Sequence, residues 1–540
     1  MDELKKESRQ LEKLSPFEIK DKLIDLAKGK MRITRTMLDA GRGNPNWIAA
    51  TPREAFFALG QFAVTESRRI WDEGDLAGMP SHIGIAERFY KYVDENQQVP
   101  GIPLLKEIID YGIKTKQFEP DIWVYELVDG IIGDNYPNPD RMLVRTEQVV
   151  HDFLIKELGG QDTSCGPFDL FAVEGASAAM CYIFETLYKN HLLPKGSKIA
   201  VMVPIFPPYI EIPELPNISY NIVKINATEL DDEGNHTWQY PEEELNKLKD
   251  KEIKALFLVN PSNPPSVSMK KESIEQIKRI VKQDNPNLMI ISDDVYGTFV
   301  EGFRSLMVEL PFNTIGVYSF SKYFGVTGWR LGTIAINQTN IFDKLIKELP
   351  EEEKEILNKR YASLTREPET LKFIDRIVAD SRDVAMRHTA GLSTPQQVQM
   401  AIFSIFAMLD TNNEYKQKTI DILHRRMNLL YEGLGLPKKK LPNDADYYTE
   451  IDLEIWCNRH YEKGFTDYIK RNYKPIDILY RLAEKSSIVL LGGEGFLAPE
   501  WSIRVSLANL NDEAYSRIGR ELKNVLDDYL EEWERGKGNN

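Results

Sequence analysis

Cysteine is scarce, with three residues among 540, and Cys165, Cys181 and Cys457 stand far apart. An odd, scattered set offers neither a disulfide framework nor metal-ligand spacing, and it suits a reducing compartment, the cytoplasm. Seven histidines include no pair at helical ligand spacing, so no metal site is expected. No run of about twenty apolar residues exists, which argues against a transmembrane helix. The charged stretch Met1–Lys13 has no apolar h-region, so no secretory leader is expected. Basic residues are outweighed, 68 Lys and Arg against 83 Asp and Glu, for a net charge of -15. That balance disfavours nucleic acid and anionic membranes as partners, yet allows a local basic pocket for a small anion.

What remains is ordinary for a soluble globular chain: 42% hydrophobic and 28% charged residues, long enough for two or three domains. Residues 1–51 read as an N-terminal arm and loop. Ser15-Pro16-Phe17-Glu18 has the form of an N-cap, a first-turn proline and a capping-box glutamate, opening a helix within residues 1–30 that carries Lys20. Arg42 then lies between two glycines, Gly41 and Gly43, in a loop ending Asn44-Pro45-Asn46. Residues 52–130 form a helical insert, with Phe56, Leu59, Phe62 and Ala63 at three- and four-residue spacing. In 131–392 short apolar runs alternate with helices: Phe168–Val173, Lys198–Val203, Leu256–Val259, Leu288–Ser292, Thr314–Tyr318 and Gly332–Ile336. Such alternation implies a mostly parallel sheet covered on both faces, with ligands beyond the carboxyl ends of its strands. Residues 393–540 read as a smaller α+β unit, with strands near Tyr448–Leu453, Ile488–Leu491 and Trp501–Leu507.

The stretch from Tyr318 to Gly332 places Ser319 and Ser321 around a phenylalanine just before Lys322, with Arg330 eight positions on. A lysine at a buried strand end loses hydration and deprotonates more easily, which suits Schiff-base chemistry; hydroxyls and a guanidinium suit a phosphate. Read alone, it is equally a surface lysine in a glycine-rich turn. Other strand ends carry matching features. Gly175-Ala176-Ser177 opens a helix whose N–H groups suit phosphate, or is a common glycine turn with a serine cap. Asn263, in Asn260-Pro261-Ser262-Asn263-Pro264-Pro265-Ser266, is held by prolines, or lies in a rigid turn. Asp293 can keep a pyridine nitrogen protonated, and Tyr296 can reach a ring hydroxyl; Asp293-Asp294 is otherwise a pair of acidic caps. Asn263, Asp293 and Lys322 follow at intervals of about thirty residues, room for one strand-helix unit each.

This order resembles the fold-type I pyridoxal phosphate (PLP) enzymes of the class I and II aminotransferase group. The resemblance implies an α/β fold with a mostly parallel seven-stranded sheet in a large PLP-binding domain and a smaller α+β domain. By the family's pattern Lys322 forms the Schiff base and Asp293 pairs with the ring nitrogen. Asn263 and Tyr296 bond the phenolic oxygen, and Phe206 stacks on the ring. Ser319, Arg330 and Gly175-Ala176-Ser177 hold the phosphate. Tyr136 reaches the phosphate of a partner subunit, which implies at least a dimer. Arg504 clamps the substrate α-carboxylate beside Gly43. Two motifs depart from the pattern, Asn263-Pro264-Pro265-Ser266 for Asn-Pro-Thr-Gly and Asp293-Asp294 for Asp-Glu; both spare the contacting residue. More narrowly, the length, the Ser15-Pro16-Phe17-Glu18 helix and the insert before Gly133-Asp134-Asn135-Tyr136-Pro137 are similar to the aspartate 4-decarboxylases. That resemblance implies β-decarboxylation of L-aspartate to L-alanine with aminotransferase side activity, and dodecamers. It maps Lys20 and Arg42 near the substrate side chain, with Arg382 and Thr389 near the site. A plain class I aminotransferase is the alternative. A PLP-binding regulator lacks its basic helix-turn-helix here, and a nicotinamide dehydrogenase lacks its G-x-G-x-x-G.

Overall fold

The computed structural model describes residues 11, 14–29, 37–71, 76–134, 141–159, 163–382, 391–436, 441 and 443–538. At its centre is a seven-stranded sheet. In chain order the strands are β1 (Phe168–Val173), β2 (Lys198–Val203), β3 (Asn221–Asn226), β4 (Ile253–Val259), β5 (Met289–Asp293), β6 (Thr314–Ser319) and β7 (Gly332–Asn337). Their spatial order is β1-β7-β6-β5-β4-β2-β3, and only β7 runs antiparallel to its neighbours. Six strands match the apolar runs in the sequence. β3 was not legible, because an edge strand reading Asn-Ile-Val-Lys-Ile-Asn is half exposed and carries little apolar pattern.

Side chains alternate between two buried faces along the strands as pleating requires. Ile199, Val201 and Val203 of β2 and Ala255, Phe257 and Val259 of β4 join the main apolar cluster. Ala200, Met202, Leu256 and Leu258 face the other way, onto the helix Lys271–Gln283 through Ile274, Ile277 and Ile280. Both faces are covered, so the strands read as continuous hydrophobic runs. The interval between Asp293 and Lys322 departs from expectation. It holds a short 3-10 turn and the four-residue helix Leu306–Glu309 rather than a full crossover helix.

The insert consists of helices Ala50–Ile70, Ile85–Glu95, Ile102–Asp110 and Pro120–Ile132, with a π turn at Tyr111–Thr115. Leu59, Phe62, Phe89, Leu105, Trp123 and Leu127 form its core, joined by Val398 and Ile402 from the helix Thr394–Leu409. Phe403 and Met400 of that helix belong to the main cluster, so one helix ties the two cores together. The C-terminal unit has a three-stranded antiparallel sheet of β8 (Tyr448–Asp452), β9 (Leu491–Gly492) and β10 (Ser502–Ser506), in the order β9-β10-β8. Beside it Leu38–Asp39 pairs in parallel with Ile488–Val489 and carries the arm into this unit. The run expected as one strand near Ile488–Leu491 is thus two two-residue strands in different sheets. The N-terminal helix spans Pro16–Gly29, and its capping box is formed: Ser15 N donates to Glu18 Oε2 (2.9 Å) and Glu18 N to Ser15 Oγ (3.4 Å). Among the described residues no helix is long and apolar enough to cross a membrane.

Candidate active site

Asp293 ends β5, between Val259 of β4 and Val317 of β6. Its carboxyl is buried; Oδ2 accepts from Tyr209 Oη (3.1 Å) and Oδ1 from the Val295 amide (3.3 Å). Burial pushes this carboxyl up to about 6, against the pull of those two donors and of Lys322. Asp294 behind it takes hydrogen bonds from Ser292 Oγ (2.7 Å) and Ser305 Oγ (2.5 Å), and burial raises it to about 8.

Lys322 follows β6 by three residues. Its Nζ donates to the Gly43 carbonyl at 2.8 Å, and the same carbonyl accepts Tyr447 Oη at 2.8 Å. A Cβ on Gly43 would lie 2.3 Å from Tyr448 Oη and 3.1 Å from Lys322 Nζ, so only glycine lets this loop come so near. Tyr296 is buried and donates to Tyr448 Oη (3.1 Å); burial, then the neighbouring Tyr448 and Tyr447, push its hydroxyl well above the ordinary tyrosine value. The insert steadies this stretch. Arg53 Nη2 donates to the Gly325 carbonyl (2.6 Å) and its guanidinium lies over the Trp329 ring (5.1 Å), which also meets Phe56 (5.8 Å).

Arg504, in the middle of β10, is 2% exposed. Nη1 donates to Asn263 Oδ1 (3.1 Å) and Nη2 to the Gly41 carbonyl (2.8 Å), while Nε is buried without a partner among the described residues. The guanidinium is held between the rings of Tyr448 (4.5 Å) and Phe496 (4.7 Å). So Asn263 and Gly43, expected from separate motifs, converge with Gly41 on Arg504 and Lys322.

The expected phosphate cradle also comes together. Gly332 of β7 stands between Val173 of β1 and Ser319 of β6. Gly175, at φ +88°, opens the fourteen-residue helix Ala176–Lys189; a Cβ there would lie 2.7 Å from Arg330 Nη2. Arg330 is exposed and donates to the carbonyls of Glu174 (3.1 Å) and Thr327 (3.1 Å), and Ser177 is exposed one position past Ala176. Ser319 Oγ donates to the Leu331 carbonyl (3.2 Å), and the Ser321 hydroxyl is buried without a partner among the described residues. Phe206, half-buried past the end of β2, meets Phe17 of the N-terminal helix edge-on at 6.2 Å.

Lys20 packs against the Gly41–Gly43 loop: its Cδ lies 3.2 Å from where a Gly41 Cβ would stand. Arg42 is paired through Nε with Asp39 Oδ2 (2.9 Å), its side chain 58% exposed. Arg382 caps the end of the helix Phe373–Ser381, its guanidinium against Gly391. Tyr136 and Thr389 lie outside the described residues. Sequence reading missed Tyr209, Tyr447, Tyr448 and Phe496. Tyr448 stands two residues before Glu450, which is opposite Arg504, so all three share one face of the β8–β10 pair, a register set only in the folded sheet.

The chain belongs to the class I and II aminotransferases, whose family model, "Aminotransferase class I and II", matches residues 173–521. Its architecture is that of the fold-type I members: a Thermus thermophilus aspartate aminotransferase double mutant superposes with a TM-score of 0.59 at 16% identity, covering 96% of this chain and 98% of the other. Within the family it is similar to a bifunctional aspartate aminotransferase and L-aspartate beta-decarboxylase from a Pseudomonas species, 46% identical over 532 residues, 98% of this chain and 99% of the relative. A tyrosine aminotransferase of Dictyostelium discoideum is more distant, 25% identical over 65% of this chain and 72% of its own length.

Proposed function

We propose that this chain is a PLP enzyme that releases the β-carboxylate of L-aspartate as CO2 to give L-alanine, with aspartate transamination as a side reaction. The observation that carries the reading is the seat of Lys20, against the Gly41 whose carbonyl bonds Arg504. That places a second cation one loop away from a buried guanidinium, an arrangement suited to a substrate with two carboxylates. The full-length similarity to the Pseudomonas bifunctional enzyme supports the same reading.

The residues present fit PLP. They supply an amine (Lys322), a buried acid (Asp293), a phenol (Tyr296), an amide (Asn263), and a helix N-terminus beside Arg330 with a glycine that leaves room for an anion. When bound, PLP supplies an electron sink conjugated with the substrate nitrogen. Lys322 would anchor it and move protons at the substrate carbons. Asp293 would hold a proton at the ring nitrogen; a pyridinium opposite it would draw its raised pKa back down. Asn263 has its N–H groups to offer, since Oδ1 is taken by Arg504. Arg504 uses only part of its set of five N–H protons on Asn263 and Gly41, leaving Nε and others for an α-carboxylate. The β-carboxylate would meet Lys20 and Arg42. Because Arg42 is already paired with Asp39 and half exposed, its grip is weak, and a weak grip on a departing group does not stabilise the ground state.

Assembly into a homo-oligomer, dimer or larger and up to a dodecamer, belongs to this proposal. Phe57 (59% exposed), Val64 (43%) and Trp71 (43%) recur every seven residues along one face of the helix Ala50–Ile70 and its cap, and Leu76 (85%) and Ile83 (72%) follow. A second copy of the chain is the partner such a face suits. A cytoplasmic setting, without nucleic acid or membrane partners, fits three scattered cysteines and an acidic chain. Incubation with PLP and L-aspartate tests the activity: alanine and CO2 are the expected main products, and oxaloacetate alone would reduce the chain to an aminotransferase.

A further inference from the structure

Across the β8–β10 ladder, Glu450 is the direct partner of Arg504. Glu450 is 6% exposed, and its Oε2 is buried without a hydrogen-bond partner among the described residues. Its Oε1 lies 2.5 Å from Ser502 Oγ, which in turn lies 2.6 Å from the Pro499 carbonyl. Ser502 has one hydroxyl proton, and a carbonyl only accepts. Both contacts are hydrogen bonds at once only if Glu450 carries a proton and donates to Ser502, while Ser502 donates to Pro499. Gly493 closes over the pair: a Cβ there would lie 2.0 Å from Ser502 Oγ and 2.1 Å from Glu450 Oε1. The bare backbone packs against the acid, and burial raises it to about 8, against the pull of the Arg504 charge.

We propose that Glu450 is a positioning residue held neutral across from Arg504, so that the guanidinium is left to pair with the substrate α-carboxylate. This rests on the reading of Arg504 as the carboxylate clamp. Ionised, Glu450 would pair with Arg504 and compete with the substrate. The charged groups facing it are Arg504 on β10 and Asp452 on its own strand, and Asp452 is paired with His236 Nε2 at 2.9 Å. The turn at Gly493 brings backbone against it. The cavity that Glu450 also lines carries Asp231, Glu233, Asp444, Arg459 and His460.

The test is the dissociation constant of succinate, a non-reacting dicarboxylate, measured by titration calorimetry on the holoenzyme from pH 6 to pH 9.5, with KM for aspartate alongside. Wild type should lose affinity at the alkaline end, approaching tenfold per pH unit once Glu450 ionises. Glu450→Gln, which keeps the donor to Ser502 but cannot ionise, should match wild type at pH 6.5 and lack that alkaline limb. The two proteins share every other group, so the difference isolates Glu450. Should Glu450→Gln fail to fold, Glu450→Ala removes the same acid and should give the same flat profile. Superimposable alkaline limbs in wild type and variant would overturn the proposal, as would a variant that binds succinate at least tenfold more weakly at pH 6.5. Absence of succinate binding and aspartate turnover in both proteins at every pH would instead overturn the carboxylate-clamp reading beneath it.

Discussion

The carbonyl of Gly43 accepts a hydrogen bond from Lys322 Nζ at 2.8 Å, across 279 positions of chain. One contact thus joins the Gly41–Gly43 loop to the lysine at the end of the central sheet. Gly43→Ala puts a methyl where Tyr448 Oη stands, 2.3 Å from its centre. Overpacking of this kind costs about 1–3 kcal/mol if the loop stays in place. A loop that moves by about 1 Å can cost about 10²-fold in rate. The variant should fold, with kcat/KM for aspartate down by about two orders of magnitude; steady-state kinetics with a thermal melt checks both.

Arg504→Lys keeps the charge and loses the fork. Asn263 Oδ1 and the Gly41 carbonyl would lose their donors, and the contacts with Tyr448 and Phe496 would go. A lysine is a point charge and does not replace a planar, multiply bonded guanidinium. The expected outcome is a fall in kcat/KM of about 10²-fold, carried mainly by KM. A variant within threefold of wild type would remove Arg504 from the carboxylate site.

Asp294 gives a pH prediction for stability. Its folded pKa is about 8, against about 3.9 in an unfolded chain. Between these values the folded state keeps a proton that the unfolded state has shed, so stability falls as pH rises. The stabilisation is full below the unfolded value and is lost as pH rises through the folded one. Asp294→Asn should therefore flatten the decline of melting temperature between pH 5 and 8, by at most about 1.4 kcal/mol per pH unit. Asp293 and Glu450 titrate in the same direction in both proteins and cancel in the comparison. Parallel curves would show that Asp294 is ionised in the fold.

The site was largely legible because its chemistry sits at strand ends, where short motifs with fixed spacing mark the chain. Asn263, Asp293, Tyr296 and Lys322 could be read that way, and the structure gathers them with Arg504 and Gly43. The strand β3 could not, since an edge strand needs no apolar period. Nor could Tyr448 and Glu450, whose roles come from cross-strand pairing with Ser506 and Arg504 more than fifty residues away. Pairing register is set by tertiary contact, and a single sequence does not display it. The pairing of Arg42 with Asp39 was equally hidden, although three residues apart, because the loop conformation decides it.

The exposed face of the insert predicts assembly. Replacing Phe57 and Val64 by glutamate changes two exposed side chains and leaves the buried stripe of Ala55, Leu59, Phe62 and Ala63 alone. Sedimentation velocity should show wild type as an oligomer and the double variant as smaller species with an unchanged circular dichroism spectrum. An identical sedimentation profile would show that this face is not the interface.

The most direct measurement of the central claim uses aspartate labelled at a single carboxyl carbon. With label at the side-chain carboxyl, the PLP-loaded protein should release labelled CO2 in step with unlabelled alanine. With label at the α-carboxyl, the label should stay in alanine. Release from the α-carboxyl, or oxaloacetate formation with no labelled CO2 from the side chain, would contradict the account.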